Sequence, residues 1–472
     1  MAGLIWRGTG QTSGWKRGQH AIVVAALALG AGCTDDPYSA PVFPFMPAFK
    51  AQADAVPRVM AHDDWWKRFN DPVLNTLIDR ALLDSLDLDL AQERLIEARA
   101  LRDSLPQAAS LTPGARVQRE RRDGGAELTR AEGSLGFDWL LDIYGARRAQ
   151  ADAAGARVAA ADAEVDAARL LLLLNIANAY VDLRFQQASL HLRRSELRSR
   201  GQALELVEAL READAATRID VVRARALVSE TRATLPGIEA AIAGLKNEIA
   251  VLSGQIPGQQ GINLDGRSAQ PRVSLSPQVG IPADLLRNRP DIRVAERNYY
   301  AALREVRTAQ ASLYPQLSLG GTLSLTTLSG QRNTDYVFGP ALRLPILPAS
   351  AQRATVAAQE SRVRQAHTSW KRAVIAAIGD VETALSEYAA AQQSRRAAEQ
   401  TVGHYAEAAR LTRESVERDG GTVRDLIDAE QSLAFANASL ANATRGLGRS
   451  YIALNISLGA GHRVTATRLA TK

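Results

Sequence analysis

The sequence predicts a mainly α-helical protein that also carries a membrane β portion, built as two tandem structural repeats. Three observations lead there. Two proline-free stretches are long enough for helices of some sixty-five residues. Short segments between them alternate apolar and small or polar residues with a period of two. A helix–break–helix pattern recurs after a shift of 205 residues.

At the N-terminus, Lys16, Arg17 and His20 precede an apolar run from Ala21 to Leu29, followed by Gly30, Ala31, Gly32 and Cys33. A basic flank, a short apolar core and a small-residue site describe a secretory signal, expected over residues 1–32. About twelve apolar or small residues are too few to cross a bilayer, which takes about twenty. The small residues end at the single cysteine of the chain, so no internal disulfide is possible. The segment resembles a lipobox, with Leu29 one place further from the cysteine than usual and Gly30 in the customary leucine position. Cys33 is therefore expected to be the lipidated, palmitate-bearing first residue of the mature chain. Thr34 after it, in place of an Asp, implies sorting to the outer membrane. Pro37, Pro41, Pro44 and Pro47 mark an extended tether over 33–60.

The strand-like segments come next. Gln316 to Thr326 sets Leu317, Leu319, Leu323 and Leu325 against Ser318, Gly320, Thr322, Ser324 and Thr326. Ser134 to Leu141 sets Leu135, Phe137, Trp139 and Leu141 against Ser134, Gly136 and Asp138. Tyr336, Phe338, Leu342 and Leu344 form a third apolar row, and Ala115 to Arg122 a weaker fourth. Segments of about ten residues with one apolar face suit a membrane barrel. Arg116, Arg119, Arg121 and Arg122 are then expected at the lumen or the rim, since an arginine facing lipid at mid-bilayer costs about 2–4 kcal/mol. Four strands cannot close a barrel, and an open edge leaves backbone groups unsatisfied in lipid. The chain must oligomerise, and three copies give twelve strands.

The long helices are expected from Arg147 to about Asp214 and from Gln352 to about Arg418. At 1.5 Å per residue each reaches roughly 100 Å, which calls for a rod or tube. Breaks at Ala215–Thr217 and at Gly420-Gly421-Thr422 precede further helices, Arg218–Ser253 and Val423–Leu458. The 205-residue shift lays Thr217 on Thr422, Asp220 on Asp425, Ala224 on Ala429, Leu235 on Leu440 and Gly254 on Gly459 without a gap. An internal duplication explains this order, with repeat 1 over 61–260 (strands near 113–141) and repeat 2 over 261–472 (strands near 315–345).

Composition narrows function. Lys and Arg number 57 against 51 Asp and Glu, a net charge of +6 that is mild for 472 residues and reads as solvated helix faces. No basic patch interleaved with aromatics suggests nucleic acid. Six scattered histidines show no metal-ligand spacing, and phosphate-loop, dinucleotide, zinc-protease and serine-elbow motifs are absent, so neither an enzyme nor a cofactor is expected.

The residues Trp65-Trp66, Phe69, Asp71-Pro72, Leu74 and Leu77-Ile78 then bring a resemblance into view. So do Trp139, Asp142, Tyr144 and Gly145, and so do Ile281 to Leu286 with Arg289-Pro290-Asp291-Ile292 and Ala295-Glu296. Tyr314 to Leu319 completes the set in order. Over nearly the whole mature chain the sequence resembles the TolC and OprM-like outer-membrane factors, in the NodT-type lipoprotein branch. The resemblance implies a homotrimer with a β-barrel in the outer membrane and a long α-helical barrel crossing the periplasm. It also implies a periplasmic adaptor (membrane fusion protein) and an inner-membrane pump of RND type as partners, and a passive exit duct for drugs, metals or other small solutes. The family's Asp-x-x-Asp falls on Asp425 and Asp428, which on one helical face would ring the axis of a trimer with six carboxylates as a channel gate. Asp220 is the first-half counterpart and the weaker candidate. The quoted motif residues themselves read as structural, setting helix starts, strand entries and packing. The alternative on the same fold is the outer-membrane channel of a type I protein secretion system. A periplasmic adaptor would need lipoyl-like β-repeats, and none is found.

Overall fold

In the computed structural model the described residues are 64–120, 128–214, 216–259, 261–265, 269–273, 289–328, 331–345, 348–418 and 422–461. The expected signal and tether, Cys33, Arg121, Arg122, Gly420, Gly421 and the Ile281–Leu286 motif lie outside them. A 3-10 turn at Trp65–Phe69 leads to α1 (Pro72–Asp84) and α2 (Leu86–Asp103), then β1 (Ala109–Glu120) and β2 (Leu128–Leu141). The helices α3 (Ala146–Glu212) and α4 (Arg218–Leu252) follow. Next come α5 (Pro290–Ala311), β3 (Gln316–Leu328), β4 (Gln331–Arg343), α6 (Ser350–Glu417) and α7 (Val423–Ser457), so that each half has two strands followed by a long and a shorter helix. The two long helices have 67 and 68 residues and their successors 35 each.

Local chemistry explains the boundaries. Asp71 caps α1 by accepting from the Val73 and Leu74 amides at 3.0 and 3.3 Å, with Pro72 at the first helical position, where its missing N–H costs nothing. Asp142 does the same for α3, accepting from the Arg147 and Arg148 amides at 3.2 and 3.0 Å. Gly145 supplies the left-handed φ of 70° that turns β2 into that helix. The helix pairs end alike, with Gly254 and Gly459 at φ 66° and 74°.

The chain divides into two compact units. The first, formed by 101–156 and 298–366 among the described residues, contains the sheet. It is four-stranded and antiparallel in the order β1-β2-β3-β4. The register puts Leu111, Pro113, Ala115 and Val117 beside Leu135, Phe137 and Trp139 on one face. Leu317, Leu319, Leu323 and Leu325 join them, as do Tyr336, Phe338 and Leu342. The other face carries Arg116, Arg130, Glu132, Asp138, Ser318, Thr322, Ser324, Asn333 and Asp335. Val117, Tyr336, Phe338 and Leu342 on the apolar face are all more than 60% exposed. From Leu317 to Thr327 the face runs about 33 Å along the strand. At a tilt of about 40° that is a band about 25 Å tall, the height of a bilayer's apolar zone.

Arg116 stands on the polar face opposite Glu132, and Arg119 near the strand end opposite Thr129, the two sites open to an arginine. The strand β1 begins six residues before the expected Ala115, because Ala109–Gly114 pairs with Ser134–Trp139 despite its Pro-Gly. Proline lacks only one ladder donor and is tolerated at an edge, so the strand runs through it. Among the described residues β1 and β4 each have one neighbouring strand, which leaves both outer edges open. Where sheet gives way to helix, Tyr144 and Tyr314 stack at 4.7 Å between ring centroids.

The second unit holds the remaining described parts of the helices and their common core. Leu173, Ile176, Tyr180 and Leu183 of α3 pack with Ile249 of α4, Val381 and Tyr388 of α6, and Ile452 and Leu454 of α7. Trp65, Trp66 and Phe69 close this core. Tyr451 meets Trp65 and Phe69 edge-on, and burial pushes its phenol up to about 12. A polar chain threads the same core. Arg184 donates to the Tyr180 hydroxyl at 2.9 Å, and Tyr180 donates to Asp71 at 2.7 Å. Arg184 also donates to Gln187, whose amide reaches the Leu264 carbonyl. Burial and the Asp71 bond raise the Tyr180 phenol.

Candidate channel gate

The start of α7 is built by Thr422. Its hydroxyl accepts from the Asp425 amide at 3.2 Å, while Asp425 Oδ2 accepts from the Thr422 amide at 3.1 Å and from its hydroxyl at 2.7 Å. This reciprocal capping box satisfies helix donors that would otherwise lack partners. Thr217 and Asp220 make the same box at the start of α4, with distances of 3.0, 2.6 and 3.3 Å. The residues that the 205-residue shift aligned thus perform the same task at two helix starts.

Both carboxyls are exposed, and both are held below the usual carboxylate range. The threonine hydroxyl bond is the main cause, then the backbone bond. Arg424 adds to the effect at both, and Arg223 at Asp220. Both therefore remain charged at neutral pH.

Asp428 lies one turn further along α7 and is also exposed, with its backbone carbonyl accepting from Ser432 Oγ at 2.9 Å. Three residues on a helix span about 300°, so Asp425 and Asp428 share a face, as the spacing predicts. In one chain Asp425 is a capping acid and Asp428 a neighbouring surface carboxylate.

The opposite face of α7 looks onto something the sequence did not disclose. Ile427, Glu430, Gln431, Ala434, Asn437 and Ala438 line a hollow of about 660 Å³. Its other walls are parts of α3, α4 and α6, including Leu192, Ser199, Leu227 and Ala409. Charged groups inside it are paired. Glu196 bonds Arg193 and Arg200 at 2.7 and 2.6 Å, and Glu430 bonds Arg413 at 2.6 Å and accepts from Ser199 Oγ at 2.6 Å. Such residues read as solvated faces in the sequence, because charge at helical spacing says nothing of what stands across from it.

The described residues hold no cluster of three or more metal-ligating side chains, and none of their helices is long and apolar enough to cross a membrane.

The model of the outer membrane efflux protein family matches twice, over residues 77–255 and 281–460. Nodulation protein T of Rhizobium leguminosarum bv. trifolii is 34% identical over 416 residues, covering 85% of this chain and 88% of that protein. The pyoverdine export outer membrane protein OpmQ of Pseudomonas putida is 26% identical over 435 residues, covering 88% and 90%. Among solved structures, the outer-membrane channel OprN superposes with a TM-score of 0.83 at 29% identity, over 91% of this chain and 100% of that one. These relatives share a channel fold, not an enzyme's. With two family matches, one in each half, and the paired helix starts that the fold displays, the chain belongs to the outer membrane efflux proteins, as a channel of the TolC, OprM and NodT type.

Proposed function

We propose that three copies of this chain close one twelve-stranded barrel in the outer membrane and form the exit duct of a tripartite pump. The observation that carries this is the sheet. It has two open edges of 12 and 13 residues and an exposed apolar face of bilayer height. Open edges in lipid strand backbone donors and acceptors, so β1 of one copy must meet β4 of the next. The helices, α3 and α6 roughly 100 Å long and α4 and α7 about half that, then continue the duct as an α-helical barrel through the periplasm.

Transport is passive in this component. A periplasmic adaptor and an inner-membrane pump of the RND type dock at the helix starts and supply the energy. The word export in the Pseudomonas relative's name supports outward transport of a small solute. Asp425 and Asp428, on one exposed face at the start of α7, form a ring of six carboxylates that narrows the duct and favours cations. The capping box gives Asp425 a second duty, holding the first turn that presents the ring. Cys33, lipidated after removal of residues 1–32, anchors the tether 33–60 in the outer membrane.

Conductance in planar bilayers tests the gate. Asp425→Ala with Asp428→Ala should weaken block by divalent cations and raise resting conductance, and unchanged values would count against the ring. Asp220→Ala should have the smaller effect. Cys33→Ser should abolish labelling by palmitate while the heat-resistant trimer band persists.

A further inference from the structure

We propose that Arg119 of one copy and Arg332 of the next together seat the oxyanion headgroup of an outer-leaflet glycolipid, at the seam where two copies meet. The proposal rests on the reading of the sheet as one part of a trimeric barrel in the outer membrane.

The charges on the apolar face carry it. By register and alternation that face takes the odd-numbered positions of β1, β2 and β3 and the even-numbered positions of β4. Among the described residues the only charged ones at these positions are Arg119 and Arg332, and both are exposed. Glu132, Asp138 and Asp335 stand on the other face, with Arg116 and Arg130. A lipid-facing surface that bears two cations and no anion selects anionic headgroups.

Position says which leaflet. The helices join the sheet at Ala109, Leu141, Gln316 and Arg343, the ends that carry Trp139 and the stacked Tyr144 and Tyr314. Both arginines lie at the opposite ends of their strands. With the helices leading into the periplasm, the arginine end is the outer one, and the outer leaflet of such a membrane is built of anionic glycolipid. Arg332 lies four residues beyond Tyr336, which is level with Leu323 at the middle of the apolar face. Four residues are about 13 Å along a strand, or about 10 Å of height at a tilt of about 40°. The half-height of a band about 25 Å tall is about 12 Å, so the guanidinium snorkels to the headgroups while its stem stays on the apolar face. An arginine so near the interface costs only about 0–1 kcal/mol.

The seam completes the seat. Within one chain β2 and β3 separate β1 from β4, a distance of about 14 Å, whereas across the seam of the proposed barrel β1 and β4 are neighbours. Val117, Ala131, Thr327 and Arg332 form one row across the sheet. Beyond that row β1 and β2 run on by three residues, and β3 and β4 by one. Levelling the strand ends in the membrane plane closes this difference of two, and Arg119 is two residues past the row, so the two arginines come to one height. Two guanidinium forks on adjacent strands suit one phosphate or carboxylate gripped bidentately.

The test uses the full-length lipid-anchored trimer in dodecyl maltoside, titrated with diphosphoryl lipid A and followed by native mass spectrometry. Wild type should bind three molecules per trimer. Arg119→Gln and Arg332→Gln should each weaken the apparent affinity about tenfold, the loss of one charge-assisted contact. Arg130→Gln, at the same end on the other face, should bind as wild type does. Phosphatidylglycerol at equal concentration should not compete.

Wild-type affinity in either Arg119→Gln or Arg332→Gln overturns the proposal. So do six molecules bound to wild type and three to each variant, which would mean two separate contacts instead of one seat. Equal competition by phosphatidylglycerol overturns the glycolipid as occupant. Arg332→Lys, which keeps the charge and loses the fork, replaces Arg332→Gln if that variant fails to assemble, and should still weaken binding. The heat-resistant trimer band and conductance read the barrel separately. A conducting trimer indifferent to lipid A refutes this seat alone, whereas a wild-type chain that forms no trimer refutes the barrel and the seat together.

Discussion

An arginine placed at Leu323 should distinguish a lipid-facing sheet from a solvated one. Leu323 lies at the middle of the apolar face, opposite Leu135 on β2 and Tyr336 on β4. Ser324, one residue on, lies on the other face opposite Ser134 and Asp335. In a bilayer an arginine at the midplane costs about 2–4 kcal/mol, falling to about 0–1 near the interface. In the proposed trimer, three copies would bring the Leu323→Arg penalty to roughly 6–12 kcal/mol per assembled channel. In the proposed barrel Ser324→Arg should cost little, because its guanidinium would enter the aqueous lumen beside Asp335. Thr327→Arg, opposite Ala131 and Arg332 near the strand ends, should fall between. The measurements are the fraction of heat-resistant trimer in outer-membrane fractions and the urea midpoint of the channel in detergent. The reasoning fails if Ser324→Arg is as damaging as Leu323→Arg, or if the three variants are indistinguishable.

Other outcomes follow from the same structure. Tyr180→Phe removes the hydroxyl that joins buried Asp71 to buried Arg184, and should cost about 1–3 kcal/mol in thermal unfolding. Channel conductance should stay unchanged. Gly254→Ala should destabilise by at least about 1 kcal/mol, since its φ is 66° and a Cβ would stand 1.9 Å from the Asp84 carbonyl oxygen. Gly237→Ala, inside α4 with no atom near its Cβ position, should be neutral or stabilising in the same melt.

The caps predict a pH dependence. The folded-state pKa of Asp425 lies below its unfolded value, so the cap's contribution is full above the usual carboxylate pKa of about 3.9 and is lost as pH falls through the lowered value. Amide hydrogen exchange in the first turn of α7 should therefore stay slow across the neutral and mildly acidic range and accelerate only in stronger acid. Thr422→Ala should shift that acceleration to higher pH, and Thr217→Ala should do the same for α4. Identical profiles in wild type and Thr422→Ala would show that the box does not hold the turn.

Much of the fold is written locally and so was readable from the chain alone. The observed ends of α3, α4, α6 and α7 fall within about two residues of those the proline gaps and breaks imply, because proline and cap chemistry act over a single turn. The period of two in β2 and β3 foretold both faces of the sheet, since alternation follows from backbone geometry. The start of β1 escaped, because Ala109–Gly114 lacks a clean alternation of large apolar residues and only its pairing with β2 makes it strand.

That Asp425 and Asp428 share one helical face was legible by spacing, yet the duty of Asp425 as the partner of Thr422 emerged only in the folded helix start. Tertiary structure alone decided which charges meet. Ser199 and Glu430 are 231 residues apart, and Tyr180 and Asp71 are separated by 109. No local rule connects residues at such distances, because burial and pairing are set by which helix faces pack together, and where they leave a hollow.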